Sequence, residues 1–213
     1  MARIKTDLAH RWVPILLSIV ALCFAGSVLT GWLFEIEVLV RGAADRAAMV
    51  PSTAISFALL FSGVAFHLRP DRMRGAVLTC AGLAAAVALT NSIVFSLGGA
   101  GLDTFVAARA PSDRMSPGTI AGLLVAALGL ASLGSARLSR TEVPMLSALA
   151  GLTGIVSVLL VHNFHRGSAL SLPFFEAMSI YTALCLLAFY VVLLLIALEP
   201  SLDRRLAERR LRG

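Results

Sequence analysis

Few residues of this 213-residue chain have the type and spacing to do chemistry. His162 and His165, followed by Arg166 and Glu176, form the only compact group that resembles a metal or proton site. An i, i+3 histidine pair on one helical turn can share a ligand, and an unperturbed imidazole titrates near pH ~6.5. Two ligands fall short of the four of a closed metal site, so plain interfacial polarity is the leading reading of His162, His165 and Glu176, with metal binding and pH sensing as equal alternatives. Haem between two histidines at mid-membrane is not expected, since His10 and His67 lie toward one edge of their apolar runs and His162 and His165 toward the other. A haem near one surface through His67 stays open, but nothing requires a cofactor. Cys23, Cys80 and Cys185 stand alone in apolar surroundings, without the spacing of a redox pair or a zinc site. Nucleophile triads, phosphate-cradling glycine loops and paired catalytic carboxylates are missing, and the sequence is read as a non-enzyme. The scattered acids Glu35, Glu37, Asp45, Asp103, Asp113 and Glu176 read as solvated loop charges beside arginines.

The remaining polar candidates recur. Met49-Val50-Pro51-Ser52-Thr53-Ala54, Met115-Ser116-Pro117-Gly118-Thr119-Ile120 and Met178-Ser179-Ile180-Tyr181-Thr182-Ala183 share a pattern, their methionines 66 and 63 residues apart. Pro suits the first position of a helix, where its missing N–H costs nothing. Ser52, Thr53, Thr119 and Ser179 can bond first-turn amides. Helix-start punctuation spread by duplication is one reading. In the other, three positive helix ends and three polarizable methionines ring one outer cavity suited to an anion or a soft apolar ligand. Trp32, Met49, Pro51, Thr53, Asn91, Met115, Pro117, Thr119, Met178 and Thr182 are its candidate lining. Asn91, in the polar cluster Thr90-Asn91-Ser92, is expected to make an interhelical hydrogen bond.

The elements that must position these residues are membrane spans. The chain is 58% hydrophobic and 14% charged, against roughly 45–50% and 25% in soluble domains. A span needs about 20 apolar residues, and six stretches qualify: Trp12 to Phe34, Pro51 to Leu68, Gly75 to Leu97, Pro117 to Ala136, Val143 to His162 and Met178 to Leu198. The first is too long for a signal-peptide core and is read as uncleaved. The fold expected is an all-α membrane protein of six helices in three tandem hairpins, about 12–68, 75–136 and 143–198, with a basic tail at 199–213.

Orientation follows from charge. The termini and the two short connectors carry 13 Lys and Arg, and the three longer connectors carry 5. The positive-inside rule then puts both termini in the cytoplasm of a bacterial inner membrane, and the net charge of +6 reports topology rather than nucleic-acid binding. No span has a charged residue in its middle, which argues against ion-coupled transport. Small pairs four apart, Gly118 and Gly122, Ser147 and Gly151, Ala150 and Gly154, Gly82 and Ala86, are expected to let helices approach closely. The sixth span has no glycine, and its Phe189 and Tyr190 are expected to meet lipid or a second protomer. Pro200 is expected to end or bend that helix. Beyond it, Arg204, Arg205, Arg209 and Arg210 either anchor the inner leaflet or belong to the stub of a signalling helix.

Together, Gly31-Trp32 before an acidic, Leu-rich connector, Met49-x-Pro51-x-Thr53-Ala54, Leu102-Asp103 with Arg114-Met115-Ser116-Pro117-x-Thr119, and Met178-x3-Thr182-Ala183 resemble the multi-span membrane-associated sensor regions of bacterial histidine kinases and diguanylate cyclases. The resemblance covers nearly the whole chain. It departs at Ile120, where Ala is usual, at Ile180, where a polar residue or Pro is expected, and in having no kinase or cyclase domain before Gly213. It implies an input module, homodimeric or coupled to a cytoplasmic signalling partner, that binds a small or membrane-soluble signal. The competing expectations are an accessory subunit of a respiratory or photosynthetic membrane complex and a transporter of an uncharged solute.

Overall fold

In the computed structural model, the backbone is described for residues 2–41, 47–69, 71, 73–99, 101–105, 113–164 and 178–211, and side chains for 12–41, 47–69, 71, 73–99, 101–103, 113–139, 141–160 and 178–198. Seven α-helices and no strand occur among the described residues: α1 (Ala2–Leu33), α2 (Glu37–Arg41), α3 (Pro51–Leu68), α4 (Arg74–Ser96), α5 (Pro117–Gly134), α6 (Val143–Phe164) and α7 (Ile180–Leu211). All but the one-turn α2 are long and apolar enough to cross a membrane. The starts expected at Pro51, Pro117 and Val143 coincide with helix starts, because proline or a turn breaks the chain just there.

The six long helices close into a ring in which each touches the next, α7 touching α1. Within the ring α3, α5 and α7 also touch one another. They form an inner triangle, and α1, α4 and α6 each fill a groove between two of its members. Burial agrees: 50, 61 and 50% of the residues in the apolar windows of α3, α5 and α7 are buried, against 28, 33 and 28% for α1, α4 and α6. The inner helices are the three that open with the repeated word, so the sequence repeat is also a repeat of position.

Lipid is as apolar as leucine, so close packing rather than escape from water must hold such helices together. The core shows how. Phe61 meets Phe189 edge-on with ring centroids 5.6 Å apart, and Phe57, Phe61, Phe189 and Tyr190 are among its largest fully buried side chains. This overturns the expectation that Phe189 and Tyr190 face lipid or a second protomer. A glycine-free helix can sit inside because its neighbours supply the notches. A Cβ at Gly151 of α6 would overlap the Tyr190 ring, and one at Gly122 of α5 would come 2.8 Å from Leu186. The Tyr190 hydroxyl donates to the Gly122 carbonyl at 2.6 Å. Gly122 and Gly151 thus seat large side chains, while Ser147 does mark a close approach of α6 to α5, its Cβ 3.2 Å from where a Cβ at Gly129 would stand. Two of the expected pairs make no close approach among the described residues: Gly82, Ala86, Ala150 and Gly154 are all exposed, and a Cβ at Gly82 or Gly154 would meet no described atom within 4 Å.

Pro200 does not end the sixth helix. Helix α7 runs through it to Leu211, so the 199–213 tail begins as a continuation of the sixth span. Helix α1 likewise starts ten residues before its apolar window, which opens at Trp12. Six crossings place both extensions at the end of the bundle that carries the short connectors.

Candidate functional site

The repeated words gather at the opposite, long-connector end. Met49, Met115 and Met178 are buried, as are Thr53, Thr119 and Thr182, while Pro51 and Pro117 are half-buried at the first turns of their helices. Trp32, at the end of α1, is buried and donates from its indole Nε1 to the Met49 carbonyl at 2.8 Å. Its neighbour Gly31 lies beneath α2, where a Cβ would come 2.7 Å from that of Leu39.

The three words are capped differently. In α5 the cap is Ser116, whose Oγ accepts from the Thr119 N–H at 3.2 Å; Thr119 was expected to do the capping and is the capped residue instead. Replacing Ser116 with alanine is expected to cost about 1 kcal/mol, read as a lower midpoint of thermal unfolding in detergent. In the third copy the Ser179 Oγ accepts from the Tyr181 N–H at 3.3 Å. The first copy has Val50 at this position and no side-chain cap of its own. Its cap comes from another hairpin: both the N–H and the hydroxyl of Ser52 donate to the Asp103 carboxylate, at 2.8 and 2.5 Å, across 51 residues of sequence.

Asp103 is 3% exposed and sits in a short 3-10 turn, Leu102–Phe105, of the second long connector. Asn91 of α4 holds that turn in place, its Oδ1 accepting from the Leu102 N–H at 3.1 Å. Asn91 is therefore a buried anchor between a span and its connector, rather than a bond between two spans. Gly101 makes the approach workable: its φ is +103°, and a Cβ there would lie 3.1 Å from the same Oδ1.

A second tie joins the first two connectors. Arg41, on α2, pairs with Asp113 at 3.1 Å and with Glu37 at 2.7 Å. Arg41 and Asp113 are both buried, and an ion pair out of water holds only while both partners stay in place. Asp103, Asp113 and Arg41 are thus no solvated loop charges, which corrects the reading of the sequence. The third hairpin joins the first through Tyr181, whose hydroxyl donates to the Val38 carbonyl at 3.2 Å and whose ring meets Phe24 edge-on at 5.1 Å. The first connector, with α2, is consequently the hub of this end.

Burial pushes the Asp103 carboxyl above the usual carboxylate range, although both Ser52 donors favour its charged form. A raised value in the folded state means that this group's contribution to stability is present at acid pH and is lost as pH rises through that value.

Sequence alone missed the Asp103 cap and the Arg41–Asp113 pair. The signal for the first was a vacancy, since a helix opening Val50-Pro51 has no capping side chain while its two counterparts carry serine. Among the described residues no cluster of His, Cys, Asp and Glu could hold a metal ion. The His162 side chain, together with His165 and Glu176 entirely, lies outside the described residues, and so do the side chains of His10, Arg204, Arg205, Arg209 and Arg210, all of which lie on α1 or α7 by backbone. His67 is half-buried at the short-connector end of α3. The chain matches no protein-family model, no curated protein and no solved structure, so its membership shown here is of the class of multi-span α-helical membrane proteins.

Proposed function

We propose that this protein is a sensory input module of a bacterial inner membrane, oriented with both termini in the cytoplasm, and not an enzyme. One observation carries the reading: the three inner helices begin at one end, where the first connector is tied to the second through Arg41 and Asp113 and to α7 through Tyr181, and α7 continues past the far end as a helix to Leu211. A small or membrane-soluble signal that favours one packing of the helix starts over another shifts the population between them. A continuous α7 carries that shift out of the bilayer to a cytoplasmic partner or to a second copy of the chain. The resemblance to membrane-associated sensor regions points the same way.

Cross-linking in native membranes, followed by identification of the captured protein, tests the proposal. A signalling protein with a kinase or cyclase output domain, captured through the α7 extension, is the expected result. A stoichiometric assembly with unrelated membrane subunits would overturn it. Replacing Met49, Met115 and Met178 together by leucine keeps volume but removes the sulfurs, and is expected to lower the response of that partner to its signal. An unchanged response would leave the repeated word as helix punctuation.

The second reading, an accessory subunit of a larger membrane complex, is favoured by one observation. Gly82 and Ala86 on α4, and Ala150 and Gly154 on α6, are exposed, and among the described residues nothing lies within 4 Å of a Cβ placed at either glycine.

A further inference from the structure

We infer that α2 is a lipid-binding interfacial helix: the first connector folds it back into the leaflet at the long-connector end, where its exposed apolar face is covered by phospholipid acyl chains.

The first support is the level at which α2 lies. Glu35 adopts φ +60°, and directly after it the Ile36 N–H donates to the Gly31 carbonyl at 2.8 Å, which closes the chain back onto the last turn of α1. Helix α2 then runs beside α1 instead of beyond it: a Cβ at Gly31 would come 2.7 Å from the Leu39 Cβ and 3.0 Å from Val40. Tyr181 fixes the same level from α7. Its ring meets Phe24 and its hydroxyl reaches the Val38 carbonyl, although Phe24 stands nine residues, about 14 Å, before the end of α1. One side chain bridges the two because α2 lies alongside the final turns of the span. Backbone at that level is short of water and has to be bonded within the protein. The carbonyls of α2 and its approach meet this demand: Val38 accepts from the Tyr181 hydroxyl, Val40 from the Met49 N–H at 3.0 Å, and Ile36 from the Leu39 N–H at 3.1 Å.

The second support is the face that α2 turns outward. Val40 and Arg41 are buried, whereas Leu33, Phe34, Ile36 and Val38 are 76, 66, 44 and 67% exposed. A patch of large apolar side chains marks contact with lipid or with protein. Continuity with the surface below it decides for lipid. Leu33 closes a stripe of exposed residues on α1, Leu16, Ile19, Cys23, Gly26 and Thr30, spaced three or four apart along the whole span, and the α2 patch begins where that stripe ends. Glu35 and Glu37, set between the apolar residues, are exposed as well and suit the headgroup level. This is the arrangement of an amphipathic helix in the interface, its apolar face seated about 5–10 Å into the headgroup and acyl boundary. The seat has a consequence, because α2 ends in Arg41, whose pair with Asp113 ties the first two connectors. Lipid packing in that leaflet therefore bears on the hub through one turn of helix. As the source of a signal, this rests on the sensory reading above; as a lipid contact, it does not.

Spin labels placed on the full chain test the seat. Cys80 and Cys185 are buried, and exposed Cys23 is replaced by alanine to give the unlabelled parent. Single cysteines are then introduced by Phe34→Cys and Val38→Cys, with Ile19→Cys of α1 as the lipid reference and Asp71→Cys of a short connector as the water reference, both positions being exposed. Each nitroxide is read in liposomes of phosphatidylcholine and phosphatidylglycerol against oxygen, which concentrates in the bilayer, and against a water-soluble nickel chelate. The labels at Phe34 and Val38 are expected to relax severalfold more with oxygen than with the chelate, as the Ile19 label does, and opposite to the Asp71 label. A preference for the chelate at either position would overturn the inference by placing α2 in water. Shielding of either label from both reagents would overturn it too, by showing that a second copy or another protein covers the patch. If Val38→Cys fails to fold, Ile36→Cys takes its place with the same two contrary outcomes. None of these results depends on a signalling partner, so failure of the lipid seat and failure of the sensory reading are distinguishable.

Discussion

Asp113→Ala is expected to destabilise the protein by about 3–5 kcal/mol, the cost of leaving one partner of a buried ion pair without the other. Arg41 is buried and would lose its Asp113 oxygen at 3.1 Å, keeping only Glu37, which is half exposed. The damage should be local. Hydrogen exchange is expected to rise in α2 and at the start of α5, while amides in the middle of α3, α5 and α7 stay protected. The double replacement Arg41→Met with Asp113→Leu removes both charges and should recover most of the loss, because two apolar side chains do not carry the desolvation cost of a lone buried charge. Unfolding in a graded detergent series reads all three proteins. A loss under about 1 kcal/mol for Asp113→Ala would place the pair in the class of solvent-screened ion pairs, contrary to its burial.

Gly151→Ala is expected to be the second most damaging change, despite adding one methyl group. Alanine is the better helix former by roughly 0.8–1.0 kcal/mol, so a gain would be the naive expectation. The added Cβ would instead overlap the Tyr190 ring. Overpacking of this kind costs about 1–3 kcal/mol. Displacing the ring also threatens the bond from the Tyr190 hydroxyl to Gly122, worth roughly 1 kcal/mol. Gly154→Ala, three residues along the same helix with open space at its Cβ position, is the matched control and should be neutral or mildly stabilising. Equal effects at the two glycines would mean that Tyr190 does not sit against α6.

The contrast between these glycines marks how far the sequence could be read. Both are four residues from another small residue, and both invite the same expectation of a close helix contact. Only the fold separates them, since Gly151 receives a tyrosine and Gly154 faces outward. The spans themselves were legible, because roughly 20 apolar residues bounded by proline and charge admit few structures other than a crossing helix. Which spans lie inside was not. In a soluble protein a polar face marks the outside of a helix, but a lipid-facing surface and a packed core are both apolar, and Phe189 in a run of Leu and Val looks suited to either. The repeat was the one sequence feature that tracked position, because Met49, Met115 and Met178 mark the three inner helices.

The site was legible in its helix starts and illegible in its ties. Pro51 and Pro117 fall where proline suits a first turn, and serine caps two of the three copies. The carboxylate that caps the remaining copy comes from 51 residues away, and the Arg41–Asp113 pair spans 72. Such pairings depend on how the ring closes and leave no local spacing to read. Asp103 and Glu35 look equally like loop acids in the sequence, yet one is buried and the other exposed.

Labelling the native protein from the lipid phase tests the arrangement of an inner triangle and three groove-filling helices most directly. A diazirine-bearing lipid, activated in the bilayer, inserts into whatever side chains it touches, and mass spectrometry locates the adducts. The ring described here predicts adducts at Leu16 and Ile19 of α1, Leu83 and Leu89 of α4, and Leu149 and Leu160 of α6, all exposed, and none at Phe57, Phe61, Leu130, Phe189 or Leu193, all fully buried. Adducts on α3, α5 and α7 as dense as those on α1, α4 and α6 would contradict it.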